Sequence, residues 1–157
     1  MRFLGVDYGR KRIGLALSDA TGTLARPWET VVAAATPSLS AAVVQARLER
    51  FARETLGEDR IEATLVGLPR RLNGSDNDQT AGARQFAAVL ATRTGLRVHL
   101  QDERLTSHEA EMRLSERERD WRARKDKLDA AAAAIILQDY LDSHGPDAAP
   151  GRSSSAT

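Results

Sequence analysis

Residues 1–19, MRFLGVDYGRKRIGLALSD, constrain the fold more than any other stretch of the chain. Residues 2–6 form a short apolar run of strand formers, Gly9 with the basic triplet Arg10, Lys11 and Arg12 makes a turn, and residues 13–17 return as a second apolar run. Two such runs around a glycine-bearing turn read as a β-hairpin. The carboxylate of Asp7 ends its first strand. Aspartate is depleted in strand interiors and costly to bury unpaired, so this position calls for a partner: a metal ion, a buried cation or a set of backbone donors.

The segments that follow show what the hairpin is built into. Thr21 and Gly22 turn the chain into a third extended segment, 24–32, whose Pro27 marks an edge strand because proline cannot donate to a ladder. Pro37 opens a helix in which Leu39, Val43, Ala46, Leu48 and Phe51 keep roughly helical spacing up to a stop at Gly57. Residues 61–68 are continuously apolar, as a strand is when helices cover both its faces. A polar loop, 70–78, leads to a second helix over 79–94, stopped by Gly95, and then to a short strand over 96–100.

Thr106 and Glu109 have the form of a capping box and open a short helix toward Leu114. The charged segment 115–125 lacks apolar periodicity and reads as a mobile loop. A last helix is expected over 126–142 from its alanines and from Ile135, Ile136, Leu137, Tyr140 and Leu141. The Gly-, Pro-, Ser- and Ala-rich segment 143–157 reads as a disordered tail, which leaves 1–142 as a single domain.

A three-strand meander followed by alternating helices and strands implies an α/β sheet with the first strand at its centre. In such sheets the functional crevice lies beyond the carboxyl ends of the strands, where the strand order switches direction. Asp7 and Glu103 both fall at such ends and are expected on one rim. Asp126 and Asp129 stand three apart on one face of the last helix, and Ala133, Ile136 and Tyr140 continue the otherwise apolar stripe that holds Asp129. Asp126 is close enough to the helix start to be explained by the helix dipole; Asp129 is less so. The chemistry suggested is a cluster of carboxylates from a strand, a strand-end loop and a helix.

Composition narrows what such a cluster can do. The chain has no cysteine, which excludes a zinc finger, a disulfide framework and a thiol nucleophile and fits a reducing cytoplasm. His99, His108 and His144 lack metal-like spacing. Hard oxygen ligands without His or Cys select Mg²⁺ or Mn²⁺, and two such ions about 4 Å apart serve phosphodiester hydrolysis. With 41% hydrophobic residues the 157-residue chain can build one core, and nothing in it is long and apolar enough to span a bilayer. Asp7 and Arg10 interrupt the N-terminal apolar stretch, so it is not a signal peptide. A net charge of +1 means that any nucleic-acid partner must be held by local basic groups.

Those residues also carry a family likeness. Gly5-Val6-Asp7-Tyr8-Gly9, Arg12-Ile13-Gly14, Ala16-Leu17-Ser18-Asp19, Gly67-Leu68-Pro69, Asn73-Gly74-Ser75, Asp102-Glu103-Arg104-Leu105-Thr106 with Glu109-Ala110, and Asp129 with Ala132-Ala133, Ile136-Leu137 and Tyr140-Leu141 run in that order. The ordered set resembles the YqgF/RuvX family over nearly the whole chain up to Leu141. The resemblance implies an RNase H-like fold: a central five-stranded mixed sheet of order 3-2-1-4-5, with strand 2 antiparallel, flanked by helices. It implies Asp7, Glu103 and Asp129 as catalytic residues and ligands of Mg²⁺ or Mn²⁺. The implied activity is nuclease action on structured nucleic acid, at the 5′ end of precursor 16S ribosomal RNA and, in some members, on a four-way DNA junction, by a single-domain protein for which a homodimer is a possible form.

On this reading Arg10, Lys11 and Arg12 project from the turn after Asp7 toward a phosphate backbone, a kind of contact that positions without reading sequence. Arg70 and Arg71 are expected on the same rim. Arg122, Arg124 and Lys125 add basic charge around Trp121, which can stack on an unpaired base or cover a dimer surface. This segment departs from the family's lysine-rich form by alternating acids and bases. Two rivals stand beside this reading. Asp7-Tyr8-Gly9 with Gly14 is similar to the first phosphate loop of sugar kinases and actin-like ATPases, which need a second lobe that 157 residues do not supply. The other is a non-catalytic RNA-binding assembly factor that keeps the acidic pocket.

Overall fold

The computed structural model describes residues 2–57, 59–69, 73–102 and 121–144, and for 121–128 the backbone alone. In chain order the elements are β1 (Arg2–Tyr8), β2 (Arg12–Ser18), β3 (Ala25–Val32), α1 (Pro37–Glu54), β4 (Ile61–Leu68), α2 (Thr80–Thr94), β5 (Arg97–Asp102) and α3 (Trp121–His144). The strands form one five-stranded sheet of order β3-β2-β1-β4-β5. β2 runs antiparallel to both β1 and β3, whereas β4 runs parallel to β1 and to β5. This is the expected order, with β1 central and the proline-bearing β3 at an edge.

Alternation along the strands divides the sheet into two faces. Leu4 and Val6 of β1, Ile13 and Leu15 of β2 and Val66 of β4 pack against Val44 and Leu48 of α1 and Phe86 and Leu90 of α2. Phe3, Ala16, Ala63 and Leu65 point the other way, against Ala133, Leu137, Tyr140 and Leu141 of α3. Residues 63–68 are all buried, because β4 is covered on both sides; the continuous apolar run is the signature of that double coverage.

Local chemistry sets the helix ends. Thr36 caps α1, its hydroxyl accepting the Leu39 N–H at 3.1 Å, and Pro37 occupies the first turn, where no backbone donor is needed. α2 stops at Gly95, whose left-handed φ of 71° lets its N–H reach the Ala91 carbonyl at 3.0 Å.

Two expectations are corrected. α3 starts at Trp121, so the last five residues of the supposed mobile loop 115–125 are helical. Trp-Arg-Ala-Arg-Lys contains no glycine or proline, and once the apolar part of α3 is seated on the sheet, each residue added upstream gains a backbone bond at little cost. The helix also runs through His144, past the expected end at Asp142, because the His144 ring stacks on Tyr140 with centroids 4.1 Å apart. The expected helix after Thr106, the remainder of the loop, and residues 145–157 lie outside the described residues. Among the described residues no helix is long and apolar enough to cross a membrane.

Candidate active site

Asp7 is the next-to-last residue of β1 and belongs to the face that carries α3, in step with Phe3 and Gly5. In the β1–β2 ladder it pairs with Gly14. Gly14 is the point at which α3 touches the sheet: a Cβ placed there would lie 1.8 Å from the Asp129 carbonyl oxygen and 2.2 Å from its carbonyl carbon. A second close approach occurs at Gly5, where a Cβ would lie 2.7 Å from the Ala133 carbonyl oxygen and 2.8 Å from the Leu137 Cβ. Glycine inside a strand marks such an approach of another backbone. The two glycines are one helical turn apart in what they meet, Asp129 and then Ala133, so they seat α3 along β1 and β2. Asp7 and Asp129 are thereby gathered at the carboxyl end of β1, both half-buried.

Arg12 completes the described part of the site. Its Nε donates to Asp129 Oδ2 at 2.6 Å, and the two side chains keep 28% and 24% of their exposure. Arg10 and Lys11, on the turn between β1 and β2, are exposed at the same rim. On the opposite face, Tyr8 stacks on Phe86 with centroids 4.6 Å apart, which anchors the end of β1 beneath Asp7; burial pushes the Tyr8 hydroxyl pKa up.

An open groove of about 410 Å³ runs along β3 beside this rim, lined by Arg12, Thr30, Val32 and Ala130 among others. A cavity of about 500 Å³ between α1 and α2 is lined by Leu48, Phe51, Ile61, Arg93 and Leu96, at the start of β4 and so at the far end of the sheet from Asp7.

Of the sequence-derived candidates, the fold brings Asp7, Asp129, Arg10, Lys11 and Arg12 to one rim. β5 extends to Asp102, so Glu103 follows it directly in sequence; Glu103, Arg70 and Arg71 lie outside the described residues. Trp121, Arg122, Arg124 and Lys125 occupy the first turns of α3, upstream of Asp129. Among the described residues no group of three His, Cys, Asp or Glu side chains could hold a metal ion. Asn73-Gly74-Ser75 forms a tight turn in which the Asn73 Oδ1 accepts from the Ser75 N–H at 3.0 Å.

Sequence reasoning missed the sheet side of the α3 contact, Gly5 and Gly14, and the pairing of Arg12 with Asp129. Strand glycines opposite a run of alanines were the available signal for the first. For the second there was none, since a hairpin-turn arginine and a distant helical aspartate show no relation until the chain has folded.

The family model described as "RuvX: Holliday junction resolvase" matches residues 1–143. A protein of Anaeromyxobacter sp. (strain Fw109-5) named "Putative pre-16S rRNA nuclease" is 44% identical over 142 residues, covering 90% of this chain and 97% of the relative. A protein of the same name from Burkholderia vietnamiensis (strain G4 / LMG 22486) is also 44% identical over 142 residues, covering 89% and 88%. Among solved structures, T. thermophilus RuvC in complex with Holliday junction substrate aligns with a TM-score of 0.53 at 16% identity, covering 92% of this chain and 97% of that one. That similarity is one of fold alone, and it assigns the sheet to the RNase H-like class. With a family model matched from the first strand through all but the final residue of the last helix, and relatives this similar along about nine-tenths of its length, the chain belongs to the RuvX (YqgF) family.

Proposed function

We propose that this protein is a divalent-metal-dependent nuclease that hydrolyses phosphodiesters in structured nucleic acid, with the 5′ end of precursor 16S ribosomal RNA as its substrate. The observation that carries this reading is that the backbone of Asp129 lies against Gly14, the strand partner of Asp7, so that two acids far apart in sequence stand at the carboxyl rim of the central strand. The names of the relatives support the RNA substrate.

The residues present fit a hard divalent cation. Asp7 and Asp129, half-buried on one rim, offer only oxygen donors, and the Arg12 guanidinium at 2.6 Å from Asp129 marks that rim as a place that favours positive charge. Asp7, Asp129 and Glu103 would hold Mg²⁺ or Mn²⁺. When bound, the metal supplies the charge that activates the water and stabilises the leaving oxygen.

The chain's own groups do the rest. Arg10 and Lys11, exposed next to Asp7, hold the phosphate backbone. Arg70 and Arg71 are assigned to the same phosphate-holding role from the sequence, and Arg122, Arg124 and Lys125 add charge from the start of α3. Trp121 stacks on an unpaired base. The site belongs to a cytoplasmic protein that works as a homodimer where two strands are cut.

A second reading, resolution of four-way DNA junctions, is favoured by the description of the family model. Both are tested by offering a 5′-extended ribosomal RNA precursor stem and a mobile four-way junction to the wild type and to Asp7→Asn with Mn²⁺. Trimming of the RNA by the wild type alone, with the variant still folded and still binding the stem in a chelator, is the expected result. Symmetric nicking of the junction, lost in the same variant, would favour the second reading and require a dimer. Full cleavage by Asp7→Asn would remove Asp7 from the mechanism, and inactivity of the wild type on both substrates would favour an RNA-binding assembly factor.

A further inference from the structure

Arg12 opens β2 on the face that Gly14 and Ala16 turn toward α3. Backbone bonds anchor it: Arg12 pairs with Val32 in the β2–β3 ladder, and the neighbouring Lys11 carbonyl accepts the Ala33 N–H at 2.9 Å. From this fixed base its guanidinium reaches the carboxylate of Asp129 at 2.6 Å. A permanent cation is thus held against a carboxylate assigned above to a metal ion, because arginine does not deprotonate in proteins. Arg12 also lines the groove along β3 with Thr30, Val32 and Ala130, and Val32 is 78% exposed there. A guanidinium leaving Asp129 therefore has open space beside the site, within reach of a polynucleotide. Its planar fork suits a phosphate as well as it suits a carboxylate.

We propose that Arg12 is an exchange residue: it is the counter-ion of Asp129 before metal arrives, and it passes to a substrate phosphate when metal takes the carboxylate. This inference rests on the metal-dependent nuclease reading and adds a coupling to it. Metal frees Arg12 for the phosphate, and the phosphate draws Arg12 away from Asp129, so each ligand tightens the binding of the other by the same factor. Arg12 is a positioning residue in this scheme, and its effect must be visible in metal binding without turnover.

The test is a calorimetric titration of Mn²⁺ into wild type, Arg12→Gln, Arg12→Lys and Asp7→Asn in the absence of nucleic acid. Arg12→Gln should bind Mn²⁺ about fivefold more tightly than wild type, the low end of ordinary coupling between two ligands. Arg12→Lys, which keeps the charge, should stay near wild type. A second measurement follows the anisotropy of a phosphorothioate-protected RNA stem in EDTA and in Mn²⁺: the metal-dependent gain in affinity should be large for wild type and smaller for Arg12→Gln. Unchanged or weaker Mn²⁺ binding by folded Arg12→Gln, or an equal gain in both proteins, overturns the exchange and leaves the metal site standing. Wild-type Mn²⁺ binding that is absent, or that Asp7→Asn does not weaken, overturns the metal reading and the exchange with it.

Discussion

Gly14→Ala is the substitution that most directly probes how the site is assembled. The new Cβ would lie 1.8 Å from the Asp129 carbonyl oxygen, 2.2 Å from the carbonyl carbon and 2.9 Å from the Ala130 nitrogen, all backbone atoms that cannot rotate away. Real Cβ atoms keep at least 3.0 Å, so α3 or β2 must retreat by about 1.2 Å, the difference between the two distances. The interior on both sides is close-packed: Phe3, Ala133, Leu137 and Tyr140 are at most 1% exposed, so the shift propagates along the helix. Overpacking of this kind costs roughly 1–3 kcal/mol, which for a domain of this size lowers the melting midpoint by roughly 3–10 °C. The same shift moves Asp129 relative to Asp7, and if the two acids act together as proposed above, a misplacement of about 1 Å costs on the order of 10²-fold in rate. Gly82→Ala is the matched control, because a Cβ there meets only Tyr8 Cε1 at 3.7 Å, an ordinary contact. Thermal unfolding and precursor-stem cleavage of both variants decide the matter. Wild-type melting together with wild-type cleavage in Gly14→Ala would show that α3 is not seated on that glycine and would refute the account of how Asp129 reaches Asp7.

Two further predictions concern pH. His99 on β5 meets the edge of Tyr140 at 5.8 Å, and burial, followed by the nearby His144, pushes its pKa below the ordinary value. The unfolded chain then takes up a proton near pH 6.5 that the folded chain refuses, so stability is full above that pH and falls as the pH drops below it. The melting midpoint should decline between pH 7.5 and 5.5 and decline less in His99→Gln; an identical slope in the two proteins would remove His99 as the source. Asp19, in the turn between β2 and β3, accepts from the Thr23 N–H at 2.8 Å, the Thr21 hydroxyl at 2.7 Å and the Leu24 N–H at 3.1 Å, and these bonds hold its pKa at about 2. Its contribution is present above the ordinary aspartate range and is lost as the pH falls through about 2. A carboxyl titration followed by NMR should place its midpoint there, and a midpoint near the ordinary value of about 4 would deny the turn its role.

The strand order was legible because each of its determinants is local. Pro27 marks the edge, the unbroken apolar run at 61–68 marks a strand covered on both faces, and two runs around Gly9 mark a hairpin. Asp7 was legible for the opposite reason: it contradicts its surroundings, and a carboxylate that ends an apolar strand needs a compensating partner. Asp129 was legible as the polar member of an apolar helical stripe, whose Ala133, Ile136 and Tyr140 are indeed buried.

The start of α3 was misread because periodicity reports burial, and a helical turn that extends beyond the core carries no apolar period. Its helicity comes from propensity and from the seated turns that follow. The sequence by itself determined which segments form strands and helices, which faces are apolar and which acids are out of place, since these follow from the spacing of side chains along one segment. Only the tertiary structure decided that Gly14 is the seat of Asp129 and that Arg12 is its counter-ion, because both depend on the depth at which a helix settles onto a sheet, and that depth is set by close packing between residues far apart in the chain.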